Sequence, residues 1–473
     1  MKFAAPRGFG HSGGKPGKNS DTMSRLSRRS FLATSAALIA VPALGVVPDA
    51  GDVEVVIIGA GAAGIAAARR VAAANRSFRL YEASGRIGGR CVTDSKIFGV
   101  PFDLGAQWIH YPDGNPLSKL ARGFDIYPAP RGQSMRVGPR NARDAELENF
   151  LAALVRSRRA FADAGRAKTD VAAAVLPRDL GDWQRTIEFV LGPYGCGKDL
   201  KDVSALDLGR AAERDADAFC RQGYGALLAS LAANLPVQLS TPVTRIVWDR
   251  GLSVTTPKGI LRARAAIVTA STNVLTSGKI EFSPALPKRQ LDAAAKLSLG
   301  SFDHIALDMP GNPLGLQRDD TVFEQAAGTR TAALLANVSG TSLHLVEVGG
   351  SFGRELAAKG DAAMVDFAGD WLASLFGSGV KRAIKRSHAT RWNEEPWVLG
   401  AMSATAPGSA DARKVLMESL EARIWFAGEA VHDTQWGTVA GAWDSGTRVA
   451  EAVLRRIGAL KAPGEAKPAR RSR

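Results

Sequence analysis

Three glycines and one glutamate near the start of the chain have the spacing of a phosphate- and ribose-binding turn. Gly59, Gly61 and Gly64 follow the apolar, β-branched run 55–58 and precede an alanine-rich helical pattern. A buried parallel strand that ends in such a turn lets the backbone approach a pyrophosphate, which the helix N-terminus attracts. Glu82 closes the next short strand, where an acid would hydrogen-bond ribose hydroxyls. The pattern predicts a dinucleotide site and leaves NAD and FAD as alternatives.

The segment that follows separates these two cofactors. Residues 86–90 read R-I-G-G-R, which resembles the segment after the first βαβ unit in the flavin amine oxidase family. In that family the segment lies along the FAD diphosphate and ribityl chain, so the resemblance implies FAD. The residues that it places at the cofactor here are Gly59, Gly61, Ala63, Gly64, Glu82, Ala83, Arg86, Gly88, Gly89 and Arg90.

Later segments resemble the same family and complete the cofactor site. Residues 103–110 match its D-x-G-A-x-W-I-H pattern, which passes over the flavin, although core packing is the alternative for Trp108 and His110. Residues 426–446 match F-A-G-E followed by G-x-x-x-G-A-x-x-S-G. There a helix N-terminus would face the flavin N1–C2=O edge, where negative charge builds on reduction. Residues 241–243 resemble the adenine clasp, with a plain edge strand as the alternative. The further cofactor contacts implied are Gly105, Ala106, Gln107, Trp108, Val243, Gly428, Glu429, Thr438 and Val439.

Four positions in three segments depart from the monoamine oxidase pattern. His304 stands where many members carry a lysine bridged by water to flavin N5, and it is either a proton relay or a satisfied strand histidine. Ala401 replaces the cysteine that binds FAD covalently, so noncovalent FAD is expected. Met402 and Thr438 replace two cage tyrosines, and Trp397 belongs to a segment similar to that of polyamine oxidases and histone demethylases. The candidate catalytic residues are His304, Thr438, Met402 and Trp397.

The resemblance implies oxidation of an amine C–N bond by hydride transfer to flavin N5, which gives an imine and then an aldehyde or ketone. The electron acceptor is either O₂, with H₂O₂ formed, or a periplasmic carrier such as a cytochrome; loss of the lysine argues against fast O₂ reduction. Oxidation of an L-amino acid is an alternative that needs an arginine clamp, for which Arg391 and Arg221 are candidates. A flavin-binding protein without turnover is a third hypothesis.

Charge and cysteine content argue against other kinds of site. The formal net charge is +15, but residues 1–50 carry +5 and residues 461–473 carry +4, which leaves +6 for the rest. The basicity therefore lies largely in the tails, and no nucleic-acid partner is predicted. Cys91, Cys196 and Cys220 have no zinc-like spacing, so no metal site is predicted. A Cys196–Cys220 disulfide stays an alternative if the protein is exported.

The N-terminal segment carries a candidate export signal. Residues 27–32 read S-R-R-S-F-L, which resembles the twin-arginine signal S-R-R-x-F-L, and the uncharged run 31–47 follows. A membrane anchor is the weaker interpretation because the run is short and only moderately apolar. The resemblance implies export of the folded protein by the twin-arginine machinery and a location in the bacterial periplasm.

These motifs must be positioned by an α/β fold. We expect a discontinuous Rossmann-type FAD-binding domain at 51–122, 222–296 and 400–457. An α+β substrate domain with a helical insertion would occupy 123–221 and 297–399. Residues 1–50 are assigned to a leader with the signal peptide, and residues 458–473 to a basic disordered tail. Apolar residues at helical spacing predict helix over much of 143–220, and another helix is expected near 361–376.

Overall fold

The structure is a computed structural model that describes residues 52–175, 178–212 and 216–460, so the predicted export signal lies outside it. The strands are β1 (Val53–Ile58), β2 (Phe78–Tyr81), β3 (Thr93–Asp94), β4 (Phe102–Asp103), β5 (Ile109–His110), β6 (Ile126–Pro128), β7 (Ser134–Val137), β8 (Arg140–Asn141), β9 (Asp217–Cys220), β10 (Val237–Gln238), β11 (Arg245–Val247), β12 (Leu252–Thr256), β13 (Gly259–Val268), β14 (Glu281–Ser283), β15 (Phe302–Asp308), β16 (Thr321–Glu324), β17 (Ala333–Leu335), β18 (Leu343–Gly349), β19 (Arg386–Ala389) and β20 (Ile424–Phe426).

The α-helices lie between and after these strands along the chain. The α-helices are α1 (Ala62–Ala73), α2 (Pro116–Leu120), α3 (Asp144–Ala164), α4 (Gln184–Phe189), α5 (Ala205–Gly209), α6 (Tyr224–Ala232), α7 (Thr272–Thr276), α8 (Lys288–Lys296), α9 (Gly350–Ala357), α10 (Asp361–Phe376), α11 (Val380–Ala383), α12 (Ala412–Met417) and α13 (Val439–Arg456). A π-helix at Val190–Tyr194 follows α4. Within the described ranges, no helix is long and apolar enough to span a bilayer.

The first sheet carries the predicted Rossmann unit. Its order is β10-β2-β1-β13-β12-β11-β14, with β20 also paired to β13, and β10, β2, β1, β13 and β20 run parallel. Alternate residues of β1 point to opposite faces. Val55 and Ile57 pack under α1 and α13, whereas Val56 and Ile58 face the layer of α7, α8 and α12. Burial on both faces explains why β1 is an unbroken apolar run.

The second sheet has the order β19-β15-β18-β17-β16-β7-β8 and is mostly antiparallel. Its apolar face packs on α9 and α10 through residues such as Val346, Leu356 and Phe367. The helix predicted near 361–376 is confirmed as α10. On the other face, β15 and β18 place His304 directly opposite Glu347.

The prediction of helix up to residue 220 is wrong at its end. Asp217–Cys220 forms β9, which lies between β5 and β6 in a three-stranded sheet. These partners come from distant parts of the chain, so local periodicity could not reveal the pairing. The same small sheet joins segments on both sides of the predicted domain boundary at residue 122. Contacts place the described residues in one unit, and the domain boundaries stay a prediction.

In α3 only one face of the predicted helix is buried. Phe150 and Leu154 are buried, whereas Leu151 and Val155 are 44% and 46% exposed. Successive helix positions are about 100° apart, and here the buried stripe takes in Phe150 and Leu154 but not Leu151 and Val155.

Candidate active site

One cavity of about 1200 Å³ brings the motifs from both ends of the chain together. Every predicted cofactor and catalytic residue except Gly64 lines it. Gly64 lies outside the cavity wall and allows α1 to pack close to the glycine turn. A Cβ at this position would lie 1.8 Å from the Gly59 carbonyl oxygen, so only glycine lets α1 approach the end of β1. Gly59 itself has φ +103°, a left-handed conformation that favours glycine.

The N-terminus of α1 forms the first corner of the cavity. Gly61 is its N-cap, and Gly61 and Ala63 line the cavity wall. A Cβ added at Gly61 would meet nothing within 4 Å, so the backbone N–H groups are open to a ligand. This corner fits a pyrophosphate, because the unpaired N–H groups and the positive end of the helix dipole both favour an anion.

Glu82 holds its carboxylate rigidly beside this corner. Oε2 accepts a hydrogen bond from the Ala60 N–H at 2.7 Å, and Oε1 accepts from the Ser84 N–H and hydroxyl at 2.8 and 2.7 Å. Ala83 lines the cavity next to it. The remaining carboxylate lone pairs can accept from ribose hydroxyls, as the sequence predicts.

The R-I-G-G-R segment crosses the cavity toward its second half. Gly88 donates its N–H to the Ala60 carbonyl at 2.9 Å, which fixes the segment to the glycine turn. The Arg86 guanidinium lies 5.8 Å from the Trp392 ring centroid. Arg90 donates to Glu429 Oε1 at 2.8 Å. The segment therefore connects the two chain ends with charged side chains that border the cavity.

Val243 lies at the cavity wall and is 5% exposed. The alternative of an edge strand at 241–243 is wrong, since β10 ends at Gln238 and β11 begins at Arg245. Thr241 donates its N–H to the Glu82 carbonyl at 2.8 Å, and a proline follows that has no N–H to give. This loop places Val243 near Glu82, where an adenine clasp is expected.

The second corner is built by Glu429 and the N-terminus of α13. Glu429 is 6% exposed and accepts from Arg90, from the Ser403 hydroxyl at 2.7 Å and from the Gly437 N–H at 2.9 Å. Burial disfavours its ionisation, but Arg90 and Ser403 outweigh burial and hold its pKa below the usual range. Glu429 is therefore a buried carboxylate at neutral pH.

Thr438 caps α13. Its Oγ1 accepts from the Gly441 N–H at 2.9 Å and donates to the Gln435 carbonyl at 2.7 Å. Val439, the first residue of the helix, lines the cavity. The structure assigns Thr438 a capping role that the sequence comparison with a cage tyrosine did not reveal.

A buried ionic cluster supports this corner from behind. Arg413 is 2% exposed, pairs with Asp207 at 2.9 Å and donates to the Ser403 hydroxyl at 3.2 Å. Its guanidinium also lies 4.5 Å from the ring centroid of Trp436 in the cavity wall. Because Ser403 in turn donates to Glu429, the cluster links the helical insertion to the second corner.

The 103–108 segment separates the two ends of the cavity. Gly105 and Ala106 line it, and Gln107 donates to Glu347 Oε1 at 2.7 Å. Trp108 lines the cavity and packs on Phe219 with ring centroids 4.5 Å apart, so it combines wall and core roles.

His304 is buried at the far end and is uncharged at neutral pH. Its Nδ1–H donates to the Asp103 carbonyl at 3.1 Å, and its Nε2 lies 3.4 Å from Glu347 Oε1. Burial lowers its pKa to about 4. His304 therefore does not supply the fixed cation of the lysine that it replaces.

The sequence reasoning missed Glu347, Tyr194, Phe302 and Phe323. Glu347 is 0% exposed, and burial raises its pKa to about 8 although Gln107 and Tyr194 favour its ionised form. The three aromatic residues line the cavity beside His304. The sequence does contain one indication of Glu347, because it is an acid within the otherwise apolar run 343–349. The strand register that brings Glu347 opposite His304 could not be read from the sequence.

Other predicted residues have simpler positions. Met402 and Trp397 line the cavity, and Ala401 lines it without a thiol that could attach a cofactor.

The two arginines suggested as a carboxylate clamp are paired elsewhere. Arg391 pairs with Asp361, and Arg221 pairs with Asp125. Neither of these arginines lines the cavity, so the carboxylate clamp suggested for them is wrong.

The three cysteines do not contribute a metal or disulfide site. Cys91, Cys196 and Cys220 are buried and form no disulfide with one another, which excludes the Cys196–Cys220 alternative in this structure. Burial raises the pKa of Cys220 to about 11 and that of Cys91 well above its usual value. Among the described residues, no group of three or more His, Cys, Asp or Glu side chains is placed to hold a metal ion.

Comparison of whole chains agrees with this geometry. The chain is 26% identical over 450 residues to lysine-specific histone demethylase 2 of Homo sapiens, covering 86% of this chain and 54% of the relative. It is 27% identical over 461 residues to polyamine oxidase 4 of Oryza sativa subsp. japonica, covering 85% and 89%. The chain thus spans about half the length of the histone demethylases that it matches.

Solved structures show the same fold. Cyclohexylamine oxidase from Brevibacterium oxydans matches with a TM-score of 0.74 at 22% identity, covering 86% of this chain and all of that one. Putrescine oxidase bound to putrescine matches with a TM-score of 0.72 at 20% identity over 86% of this chain and all of the other. The predicted α/β fold is confirmed. Residues 62–454 match the family described as flavin containing amine oxidoreductase, and the chain belongs to that family.

Proposed function

We propose that this protein binds FAD noncovalently and oxidises the C–N bond of a small amine. The observation that carries the proposal is the single cavity that joins two helix N-termini and two anchored carboxylates to the aromatic end at His304. FAD, when bound, supplies the hydride acceptor, which no amino-acid side chain can provide. The protein then has to bind, orient and deprotonate the amine.

The residues present fit the cofactor from end to end. The α1 N-terminus would hold the pyrophosphate, Glu82 the ribose and Val243 the adenine. Glu429 would accept from the ribityl hydroxyls, and α13 would present its N–H groups to the pyrimidine edge. A Cβ added at Gly428 would meet nothing within 4 Å, so the backbone there is open to the cavity as it is at α1. Ala401 offers no atom for a covalent bond, which supports noncovalent binding.

The far end of the cavity suits a neutral amine. His304 is uncharged and buried, and Tyr194, Phe302 and Phe323 supply an aromatic wall. Aromatic rings favour alkylammonium and amine groups, and exclusion of water assists loss of the amine proton. Met402 and Trp397 also line the cavity and are candidates to shape the space left for the substrate.

The proposal extends to the electron acceptor and the location. We infer that electrons pass to O₂, with H₂O₂ formed, or to a soluble carrier such as a cytochrome. The neutral His304 favours the carrier, because it leaves the site without the lysine cation of many family members. Export to the periplasm rests on the S-R-R-S-F-L motif at residues 27–32.

Anaerobic bleaching of the flavin spectrum tests the function directly. The FAD-loaded protein is mixed with benzylamine, cyclohexylamine, putrescine or L-leucine, and absorbance near the flavin maximum is followed. Amines are expected to bleach the flavin because they donate a hydride. Bleaching by L-leucine alone would favour the amino acid alternative, and a spectrum that no compound changes would favour a flavin-binding protein without turnover.

The reduced sample also distinguishes the acceptors. It is mixed in a stopped-flow instrument with air-saturated buffer or with an oxidised cytochrome. Reoxidation by the cytochrome is expected to outpace reoxidation by O₂. Reoxidation by O₂ at the rate of steady-state turnover would show that the protein is an oxidase.

A further inference from the structure

Glu347 is a buried acid without a cationic partner. Among the described residues, its one ion contact is His304 Nε2 at 3.4 Å, and that imidazole is neutral at physiological pH. A carboxyl group that is 0% exposed cannot stay ionised without a nearby cation, because desolvation costs several kcal/mol. With no cation beside it, Glu347 therefore stays protonated at neutral pH, since burial raises its pKa to about 8.

The groups that contact Glu347 directly are uncharged, and the nearest further acid that acts on Tyr194 is Asp217, which pairs with His110 at 2.6 Å. On β15 it faces His304, on β17 it faces Ala333, and Gln107 donates to it at 2.7 Å. From the π-helix, the Tyr194 hydroxyl interacts with its carboxyl, and burial keeps that phenol protonated. The helix α9 packs on β18 and carries Arg354, whose guanidinium donates instead to the Leu299 carbonyl.

Glu347 lies directly behind the aromatic end of the cavity. Three residues of the cavity wall also interact with the Glu347 carboxyl group: Tyr194, Gln107 and His304. Phe302 and Phe323 pack against Tyr194 with ring centroids 5.8 and 5.2 Å apart. A cation at this wall would be one side chain away from a carboxyl that has no other counter-charge.

We propose that Glu347 takes the proton that an alkylammonium substrate must lose before oxidation, by way of the Tyr194 hydroxyl. An alkylammonium ion at this wall first displaces the Glu347 proton to solvent, because the acid is protonated before the cation arrives. The ammonium N–H bond then breaks, Tyr194 accepts this proton while it passes its own to the ionised Glu347, and neutral amine and neutral acid result. The inference rests on the proposed function and adds a proton acceptor to it.

The proposal has a distinctive consequence for pH dependence. The productive complex holds one proton, shared between the amine and Glu347. Below the Glu347 pKa of about 8, free protein and free alkylammonium together carry two protons, so one must be lost on binding and kcat/KM should rise with pH up to about 8. It should fall again above the pKa of the free amine, about 10. In Glu347→Gln, only free neutral amine is productive, so the rise should continue to about 10 without a later fall.

A permanently charged probe tests the counter-charge without any oxidation. Tetramethylammonium has no proton to lose and no lone pair to support hydride transfer. Its binding to the FAD-loaded protein is measured by calorimetry at pH 7 in two buffers of different ionisation enthalpy. Close to one proton should be released per ligand, because the cation ionises Glu347, and Glu347→Gln should release close to none.

Two further variants separate this role from a structural one. Glu347→Asp keeps an ionisable group and should restore proton release. Tyr194→Phe keeps the ring and should slow flavin bleaching while proton release on binding persists. The amine for the pH profiles is the one that bleaches the flavin fastest in the panel above.

The proposal is overturned if tetramethylammonium does not bind, if wild type releases no proton, or if the pH profile of Glu347→Gln keeps its break near 8. If Glu347→Gln does not fold, wild-type proton release and the Glu347→Asp profile decide. Failure of the proposed function looks different: no amine bleaches the flavin, whatever the proton count.

Discussion

Two buried glutamates, Glu429 in the cavity wall and Glu347 behind it, differ in charge because their partners differ. Glu429 is surrounded by Arg90, Ser403 and a backbone N–H, which hold its pKa below the usual range. Glu347 has a neutral imidazole, an amide and a phenol as neighbours, and burial dominates its pKa. Residue type alone predicted neither state. The sequence motif identified Glu429, whereas Glu347 lies outside every motif.

Replacing Glu429 by glutamine should weaken both folding and cofactor retention. The amide cannot accept from Arg90, Ser403 and Gly437 together, and it leaves the Arg90 cation without its carboxylate. A loss of about 2 kcal/mol in the free energy of unfolding is expected, together with loss of bound FAD. Chemical denaturation and the ratio of flavin to protein absorbance measure these two effects.

Asp163→Asn is the matched control for that substitution. Asp163 pairs with Arg166 on the surface of α3, with side chains 78% and 76% exposed. An exposed pair of this kind contributes less than about 0.5 kcal/mol. If the two variants lost equal stability, the network around Glu429 would not have the importance assigned to it.

At the scale of elements, sequence patterns succeeded where the interactions are local. The strand, glycine turn and helix of β1 and α1 follow from hydrophobic pattern and turn chemistry within a short window. β9 was missed because its partners β5 and β6 are remote in sequence. The His304–Glu347 pair was missed for the same reason, since it depends on the register between β15 and β18.

Removal of the cap on α13 should have a modest cost. Thr438→Ala deletes the hydroxyl that accepts from the Gly441 N–H, and a loss of about 1 kcal/mol is expected from denaturation midpoints. Thr438→Ser keeps the acceptor and should retain most of the stability. Equal losses in both variants would show that the methyl group, not the hydrogen bond, matters.

At the scale of the whole molecule, the cavity connects parts of the chain that are far apart in sequence. α1 and α13 pack on each other above the first sheet, and each begins at the cavity. The family resemblance predicted that these segments share one cofactor, and the structure brings them together. The shape of the substrate end could not be predicted, because it is assembled from the π-helix, β15, β16 and β18.

Binding of FAD should stabilise the protein against unfolding and slow amide hydrogen exchange at the N-termini of both α1 and α13. Removal of FAD is expected to lower the melting temperature, and FAD at 100 times its Kd should restore about 2.7 kcal/mol. In hydrogen exchange, FAD should slow the amides around Gly61 and those around Gly441 together. ADP, which lacks the flavin, should slow the first group alone. Equal protection of both groups by ADP would contradict the placement of the flavin at α13.

The pairing of α1 with α13 also sets an order of events during synthesis. α1 leaves the ribosome well before α13. Until α13 emerges, the alanine-rich face of α1 has no helix to cover it, and the second corner of the cavity does not exist. A cofactor that contacts both corners can therefore be captured in full only after α13 has been synthesised.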